Sequence, residues 1–194
     1  MVHALGVGVR NRYPEPSLLT ITAANNLRGL IREIPDFPKT GILFRDITTL
    51  LRDPDGLRQA VEAMHAPFAD ETIDYVVGVE ARGFIVGTPL ALAWGAGFVP
   101  ARKEGKLPGS ASKRSYKLEY GESTIEIHDG AIPAGSRVLL ADDLLATGGT
   151  MSAACGLVES FGASVIGLSF LVELTELKGR ESLLDHRIES VISY

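Results

Sequence analysis

The sequence predicts an α/β fold built on a mostly parallel, doubly wound sheet, and three observations favour it. Two segments, 73–101 and 137–172, each have the pattern of a strand, a loop, a helix, a glycine-containing turn and a second strand. Their strand segments are continuous apolar runs, which is typical of strands covered on both faces. The chain of 194 residues, with 45% hydrophobic and 22% charged residues, has the size and composition of one globular domain. Ligands of such sheets bind beyond the carboxyl ends of the strands, so functional residues are expected there.

Two helices are predicted ahead of the first unit. Apolar residues at helical spacing predict a helix over 23–34, which Pro35 ends. A second helix is predicted over 55–64, with Asp53 or Asp55 as its N-cap.

The two units supply the core elements, and a loop and a hairpin are predicted between them. The units predict strands over 73–79, 98–101, 137–141 and 164–172, and helices over 84–94 and 150–160. Glycine, proline and basic residues predict a long loop over 102–117, and loops of this length in compact domains are often functional lids. Alternating residues predict a small hairpin over 117–128 that turns at 120–122.

Charge and cysteine content limit which classes of function are possible. A net charge of −5 gives no support for a nucleic-acid-binding surface, and no apolar run is long enough for a membrane span. The single cysteine, Cys155, cannot form an internal disulfide, and no Cys/His cluster has metal-ligand spacing. We therefore expect a cytoplasmic protein without a nucleic-acid or membrane partner. Six basic residues against one acid between Arg102 and Lys117 predict either a local anion site or a solvated basic loop.

The stretch after the strand 137–141 carries the clearest chemical signal. Asp142 and Asp143 come first, and a loop of small residues, 146–150, then opens a helix. Backbone amides of such a loop, the helix N-terminus and threonine hydroxyls together form a cup for a phosphate. Carboxylates beside the cup can accept hydrogen bonds from the vicinal hydroxyls of a sugar. The stretch therefore predicts a site for a phosphorylated sugar.

This stretch resembles the motif with which type I phosphoribosyltransferases bind 5-phosphoribosyl-1-pyrophosphate (PRPP). Four further segments, 34–46, 80–84, 102–109 and 116–121, are similar to the adenine phosphoribosyltransferase family and occur in the same order. The resemblance implies the reaction adenine + PRPP → AMP + pyrophosphate, with Mg²⁺ held mainly through PRPP and no direct metal ligand from the protein. It also implies the type I phosphoribosyltransferase fold, with a small hood and a flexible lid loop.

The resemblance assigns roles at PRPP. Arg82, Arg102 and Lys106 are implied to bind the pyrophosphate, which leaves through an oxocarbenium-like transition state. A strained Glu80–Ala81 peptide bond, of which a cis bond is one form, is expected beside them. The resemblance places Asp142 and Asp143 on the ribose hydroxyls, and Ala146, Thr147, Gly148, Gly149 and Thr150 on the 5-phosphate.

The base-binding segment is implied to be Leu43, Phe44 and Arg45. The ring of Phe44 would stack on adenine, while main-chain groups near Leu43 and Arg45 would read its polar edge. Without the resemblance, Phe44 would be assigned to the core.

The proton chemistry and the lid are implied to lie around residue 119. Glu119, with Arg82 the second catalytic residue, would handle a proton near N7 or N9 of the purine. Tyr116 and Tyr120 would close the lid and exclude water.

Two other functions stay open at this point: a phosphoribosyltransferase for 6-oxopurines, and a PRPP-sensing regulator without catalysis. The segment 43–45 favours adenine, and the set Arg82, Lys106 and Glu119 favours an enzyme. Residues 1–22 are expected to be a variable extension and 23–194 a single domain. The family is generally homodimeric, which leaves open whether Arg102 serves its own site or its neighbour's.

Overall fold

The computed structural model describes residues 18–117 and 121–194, which form an α/β fold with two sheets. The helices in these residues are α1 Leu18–Gly29, α2 Thr48–Leu51, α3 Pro54–His65, α4 Gly83–Trp94 and α5 Gly149–Ser160. The strands are β1 Arg32–Ile34, β2 Phe44–Asp46, β3 Tyr75–Val79, β4 Gly97–Lys103, β5 Ala111–Lys117, β6 Glu122–His128, β7 Arg137–Leu145, β8 Ser164–Glu173 and β9 Ile188–Ser193. Short 3₁₀ turns lie at Ala66–Phe68, Thr175–Leu177 and Gly179–Ser182.

The larger sheet has seven strands in the order β5-β6-β4-β3-β7-β8-β9. The five strands from β4 to β9 in this order are parallel to one another, whereas β6 runs antiparallel to β4 and β5 antiparallel to β6. The smaller sheet is the antiparallel pair β1-β2, which we call the hood sheet. The predicted mostly parallel α/β sheet is thereby confirmed.

Helices cover both faces of the large sheet. Because successive side chains of a strand point to opposite faces, neighbouring residues of β3 pack in different cores. Val77 of β3 packs in a core with α5, while Val76 packs in a second core with α1, α3 and α4. The single cysteine, Cys155, lies in the α5 core, where burial raises the pKa of its thiol to about 12.

The helix predicted over 23–34 is wrong at both ends. Helix α1 begins at Leu18 and ends at Gly29, a poor helix former, and residues 32–34 form β1 instead. Pairing with β2 decides this, since Ile34 lies opposite Phe44 and Arg32 opposite Asp46. The helix predicted over 55–64 is confirmed as α3, and Asp53 is its N-cap because its carboxylate accepts the N–H of Gly56 at 2.7 Å.

The long loop predicted over 102–117 is also wrong. Strand β4 continues to Lys103 and β5 begins at Ala111, so only residues 104–110 connect them. Seven residue pairs join β5 to β6, which lengthens the predicted hairpin, and most of its turn lies outside the described residues. Charged side chains concealed the strand pattern, because the consecutive residues Lys113, Arg114 and Ser115 of β5 are all exposed to solvent. The segment expected to be a flexible lid loop is therefore largely a β-hairpin.

Strand β7 is longer than the predicted 137–141, and its extension shapes the sheet edge. Its pairing with β3 stops at Ala141, but its pairing with β8 continues to Leu145. Asp142 and Asp143 thus lie within β7, at the point where its neighbour on one side ends.

The predicted extension 1–22 lies mostly outside the described residues, although α1 already begins at Leu18. In the described part of the chain, no helix combines the length and apolar character needed to cross a bilayer.

Candidate active site

The predicted site residues of the two α/β units meet at one edge of the large sheet. Register places Val79 opposite Ala101 and Gly78 opposite Ala141, so Glu80, Arg102 and Asp142 follow at the carboxyl ends of three adjacent strands. The close approach of the loop after β3 to β7 requires Gly83. A Cβ there would lie 2.8 Å from Asp142 Oδ1 and 2.9 Å from the carbonyl oxygen of Ala141.

The phosphate loop, residues 146–150, connects β7 to α5. Gly148 has a φ of +82° and is the N-cap of α5, and Gly149 is the first residue of the helix. The carbonyl oxygen of Gly148 accepts the N–H of Ser152 at 2.9 Å, so the helix starts directly behind the loop. The first amides of α5 have no partner within the helix, so this end can bind an anion.

Residues 179–182, which no sequence motif marks as functional, pack against the phosphate loop. A Cβ on Gly148 would lie 2.4 Å from the carbonyl oxygen of Gly179, and a Cβ on Gly179 would lie 2.3 Å from that of Ala146. The hydroxyl of Ser182 donates to the carbonyl oxygen of Thr147 at 3.1 Å. Only the fold reveals these contacts, since a glycine in a C-terminal segment carries no signal of its partner.

An ion pair holds this segment, which we call the backing segment (residues 179–182), against the sheet. Arg180 donates through Nε and Nη2 to the two oxygens of Glu173, at 2.8 and 2.7 Å. Glu173 is buried at the end of β8, and its partner on β7 is Leu145. Burial raises the pKa of Glu173, but the hydrogen bonds from Arg180 and Ser190 outweigh it and hold the pKa below its ordinary value.

Asp142 and Asp143 form a buried acidic pair next to Arg82. Arg82 Nε lies 2.8 Å from Asp143 Oδ2 in an ion pair. Its N–H is not directed at this oxygen, so the buried Oδ2 has no hydrogen-bond donor among the described residues. Asp142 Oδ1 accepts the N–H of Asp143 at 2.9 Å.

The environment of the pair raises the pKa of both carboxyl groups. Burial, followed by the charge of Asp143, raises the pKa of Asp142 well above its ordinary value. Burial also raises the pKa of Asp143, although the Arg82 guanidinium opposes the rise. Perturbed carboxyl groups of this kind cluster at functional sites.

Arg102 and Lys106 meet at a different carboxylate, that of Glu80. Lys106 Nζ lies 2.9 Å from Glu80 Oε1, and Arg102 Nε donates to Oε2 at 3.2 Å. The backbone N–H of Lys103 also donates to Oε2, at 3.0 Å. Burial pushes the pKa of Glu80 upward, but these hydrogen bonds hold it below its ordinary value. Thus two of the three predicted pyrophosphate ligands share one acid, and the third, Arg82, pairs with Asp143.

A second buried carboxylate fixes the turn that carries Lys106. Glu126 on β6 accepts the N–H groups of Leu107 and Lys106 on one oxygen, at 2.9 and 3.0 Å. These bonds from the turn, led by that of Leu107, lower the pKa of Glu126. The Glu80–Ala81 peptide bond beside this cluster is cis, one of the forms expected from the resemblance.

The predicted base-binding segment lies on the hood sheet, close to Arg82. The Arg82 guanidinium is 5.8 Å from the centroid of the Phe44 ring, and Phe37 meets the same ring edge to face at 5.1 Å. Phe44 belongs to neither buried core, which excludes the alternative assignment to the core. Leu43 is exposed, whereas Arg45 pairs with Glu33 and lies over the ring of Tyr194.

Of the predicted lid residues, the structure describes Tyr116 alone. The hydroxyl of Thr150 donates to Tyr116 Oη at 3.0 Å, so the hairpin strand β5 reaches the phosphate loop. Glu119 and Tyr120 lie outside the described residues. No cluster of three or more His, Cys, Asp or Glu side chains that could hold a metal occurs within residues 18–117 and 121–194.

Comparison with known proteins places this site in a family. Residues 48–192 match the family model of the phosphoribosyl transferase domain. An adenine phosphoribosyltransferase of Acaryochloris marina is 54% identical over 169 residues, which is 87% of this chain and 99% of that protein. The crystal structure of the adenine phosphoribosyltransferase from Rhodothermus marinus superposes with a TM-score of 0.86 at 50% identity, covering 90% of this chain and 99% of the other. That of Saccharomyces cerevisiae, solved with a bisphosphate imino-altritol ligand and adenine, superposes with a TM-score of 0.83 at 42% identity, covering 88% and 99%.

Proposed function

This chain belongs to the adenine phosphoribosyltransferase family, the pentosyltransferases that convert adenine and PRPP into AMP and pyrophosphate in purine salvage, and we propose the residue roles by which it does so. The observation that carries the assignment of the reaction is the identity of 54% to a named member over nearly the whole length of that member. The arrangement of an acidic pair, a phosphate loop and a cluster of cations at one sheet edge supports the roles.

The phosphate loop binds the 5-phosphate that PRPP and AMP share. Amides at the start of α5 and the hydroxyls of Thr147 and Thr150 donate to this anion. Ala146, Gly148 and Gly149 keep side chains out of the cup. The hydroxyl of Thr150, which now donates to Tyr116, exchanges that partner for a phosphate oxygen.

The acidic pair binds the ribose. Asp142 and Asp143 accept hydrogen bonds from the vicinal hydroxyls, which supplies the donor that Asp143 Oδ2 lacks in the described structure. A fixed ribose places C1 between the base and the leaving group, where misplacement by 1 Å can cost about 100-fold in rate.

Arg82, Arg102 and Lys106 stabilise the departing pyrophosphate. Negative charge grows on this group as the bond to C1 breaks, so cations fixed beforehand favour the transition state over the ground state. Arg82 is a catalytic residue in this scheme because it adjoins the ribose acids and the base-binding ring at once.

The hood sheet binds adenine. The half-buried ring of Phe44 stacks on the base, and main-chain groups of Leu43 and Arg45 accept from the 6-amino group and donate to N1. This polar pair distinguishes adenine from 6-oxopurines, because a wrong base would leave buried polar groups unpaired.

Glu119 is the second catalytic residue and handles the proton of the purine near N7 or N9. Tyr116 and Tyr120 close the hairpin over the site and exclude water from the oxocarbenium-like transition state. The contact of Tyr116 with Thr150 supports this closure, since it shows that the hairpin reaches the phosphate loop.

Mg²⁺ is expected to enter with PRPP. The ion prefers oxygen ligands and keeps several of its waters, so the oxygens of PRPP would hold it without a direct ligand from the protein. When bound, the ion would neutralise charge on the pyrophosphate. Asp142 and Asp143 orient the ribose and the ion together.

The protein is proposed to be cytoplasmic and homodimeric. A single buried thiol suits a reducing compartment. Helix α4 is apolar on nearly every side, yet Ile85 and Leu92 are 45% and 78% exposed, and a second copy would cover them.

Competition among purines tests the base assignment. Pyrophosphate release is measured with PRPP and Mg²⁺ in the presence of adenine, hypoxanthine, guanine or xanthine. Adenine alone should support release, and the other purines should neither react nor inhibit at equal concentration. Release with hypoxanthine or guanine would contradict the role of residues 43–45, and no release with any purine would favour a PRPP-sensing regulator.

A further inference from the structure

Glu80 has no role in the reaction described above, although it contacts two of the three pyrophosphate ligands. Its side chain is 8% exposed and accepts from Lys106 Nζ, Arg102 Nε and the N–H of Lys103. A buried carboxylate that is fully engaged by cations cannot be a general base, and its low pKa keeps it ionised. Its charge is therefore permanent and in direct contact with the cations.

We propose that Glu80 is an internal substitute for pyrophosphate, which holds Arg102 and Lys106 in place in the free enzyme and competes with the leaving group for them. This inference rests on the proposed pyrophosphate site. Glu80 is a positioning residue, since it acts through the two cations.

The geometry gives the competition its physical basis. The ammonium group of Lys106 is compact and about half exposed, so it can turn from Glu80 to an incoming anion. Arg102 is further restrained, because its Nη1 donates to the carbonyl oxygen of Lys106 at 2.9 Å. A pyrophosphate that draws these groups toward itself weakens their contacts with Glu80.

Competition of this kind limits product binding without removing the cations. The negative charge of Glu80 cancels part of the positive potential at the site, so pyrophosphate is held less tightly than by free cations. Meanwhile Glu126 fixes the turn through its backbone amides, so the cation on that turn stays in place when Glu80 releases it.

The variant Glu80→Gln removes the negative charge of the side chain but keeps its shape. The amide oxygen can still accept from Lys103 N–H and from the cations, but the negative charge is gone. We expect pyrophosphate to bind about five- to twentyfold more tightly to this variant, measured by calorimetry and as product inhibition. AMP affinity should not change, because AMP lacks the pyrophosphate group.

Glu104→Gln is the matched control. Glu104 lies in the same turn as Lys106 and pairs with Lys113 at 2.9 Å. The substitution therefore removes an equal negative charge without changing a contact of Arg102 or Lys106. The control should bind pyrophosphate like the wild type. An equal gain in both variants, or weaker binding in Glu80→Gln, would overturn the inference.

Lys106→Met distinguishes this inference from the site assignment. If pyrophosphate affinity is unchanged in Lys106→Met, the proposed pyrophosphate site is wrong and the inference fails with it. If Lys106→Met binds more weakly but Glu80→Gln does not bind more tightly, only the inference fails.

A crystal structure of the wild type with AMP and pyrophosphate tests the exchange without any variant. Lys106 Nζ should then lie within hydrogen-bond distance of a pyrophosphate oxygen and no longer contact Glu80. A bound pyrophosphate with the Glu80–Lys106 pair intact would overturn the inference.

Discussion

The contact between Arg82 and Asp143 joins the two α/β units at a single ion pair. Each residue follows an apolar strand segment, and both were expected at a ligand site, but their pairing depends on the parallel register of β3 and β7. The pairing has a chemical consequence. Before substrate binds, each cation of the site already has a carboxylate partner, so binding exchanges ion pairs instead of creating them.

Thr147→Ala tests the phosphate loop at the level of one hydroxyl. Loss of a hydrogen bond to a charged group costs about 1.5–3 kcal/mol, so PRPP and AMP should both bind about 10- to 100-fold more weakly. Adenine affinity should be unchanged in equilibrium binding measurements. Thr72→Ala, an exposed threonine that precedes β3 at the opposite edge of the sheet, should leave all three ligands unaffected. A change in adenine affinity alone would refute the assignment.

Glu119→Gln tests the proton-handling role. A positioned acid or base contributes about 10²–10⁴-fold to rate, so steady-state turnover should fall within that range. AMP binding should persist, because the variant keeps the size and hydrogen-bonding capacity of the side chain. Glu122→Gln, at the exposed start of β6, is the control and should turn over normally. Equal turnover of the two variants would remove Glu119 from the mechanism.

At the level of elements, the phosphate loop depends on a partner far away in the chain. The loop connects β7 to α5, yet its back is covered by the backing segment 179–182. The Arg180–Glu173 ion pair ties this segment to the end of β8. The conformation of the loop is thus set by packing as well as by its own glycines.

Gly148→Ala tests this packing. A positive φ costs any alanine about 1–2 kcal/mol, but here the added Cβ would also meet the Gly179 carbonyl at 2.4 Å and displace the loop. The displaced amides should lose hydrogen bonds to the charged phosphate, each worth about 1.5–3 kcal/mol, so AMP and PRPP affinity should fall about 10- to 100-fold in titrations for each bond lost. Gly130→Ala is the control, because Gly130 has a φ of +72° but open space around it. Gly130→Ala should lower the thermal stability of the protein but leave AMP and PRPP affinity unchanged. A similar loss of affinity in both variants would contradict the proposed packing.

On the scale of the whole molecule, one helix has more apolar surface than the described fold covers. Helix α4 packs on β3, β4, β7 and α3, and still exposes Ile85 and Leu92. Such a surface, adjacent to the loop that carries Arg82, suits an interface near the site.

Leu92→Glu tests the proposed homodimer, which it should weaken. Burial of a leucine contributes about 1.5–3 kcal/mol, and in a symmetric interface it occurs twice. The dissociation constant of the dimer, measured by sedimentation, should therefore increase at least about 100-fold. Leu184→Glu is the control, since Leu184 is 80% exposed outside α4. Equal masses of wild type and Leu92→Glu at all concentrations would contradict the proposed interface.

The sequence by itself determined the order of the core elements, the acidic pair, the phosphate loop and the family. Apolar runs and small-residue loops are local patterns, and local chemistry is sufficient to specify them. The tertiary structure decided which charges meet. Residues 32–34 became a strand because β2 pairs with them, and residues 111–117 because β6 does. The pairing of Glu80 with Arg102 and Lys106, and of Gly179 with the phosphate loop, follows from distances between segments that are remote in the chain, and no local pattern encodes these distances.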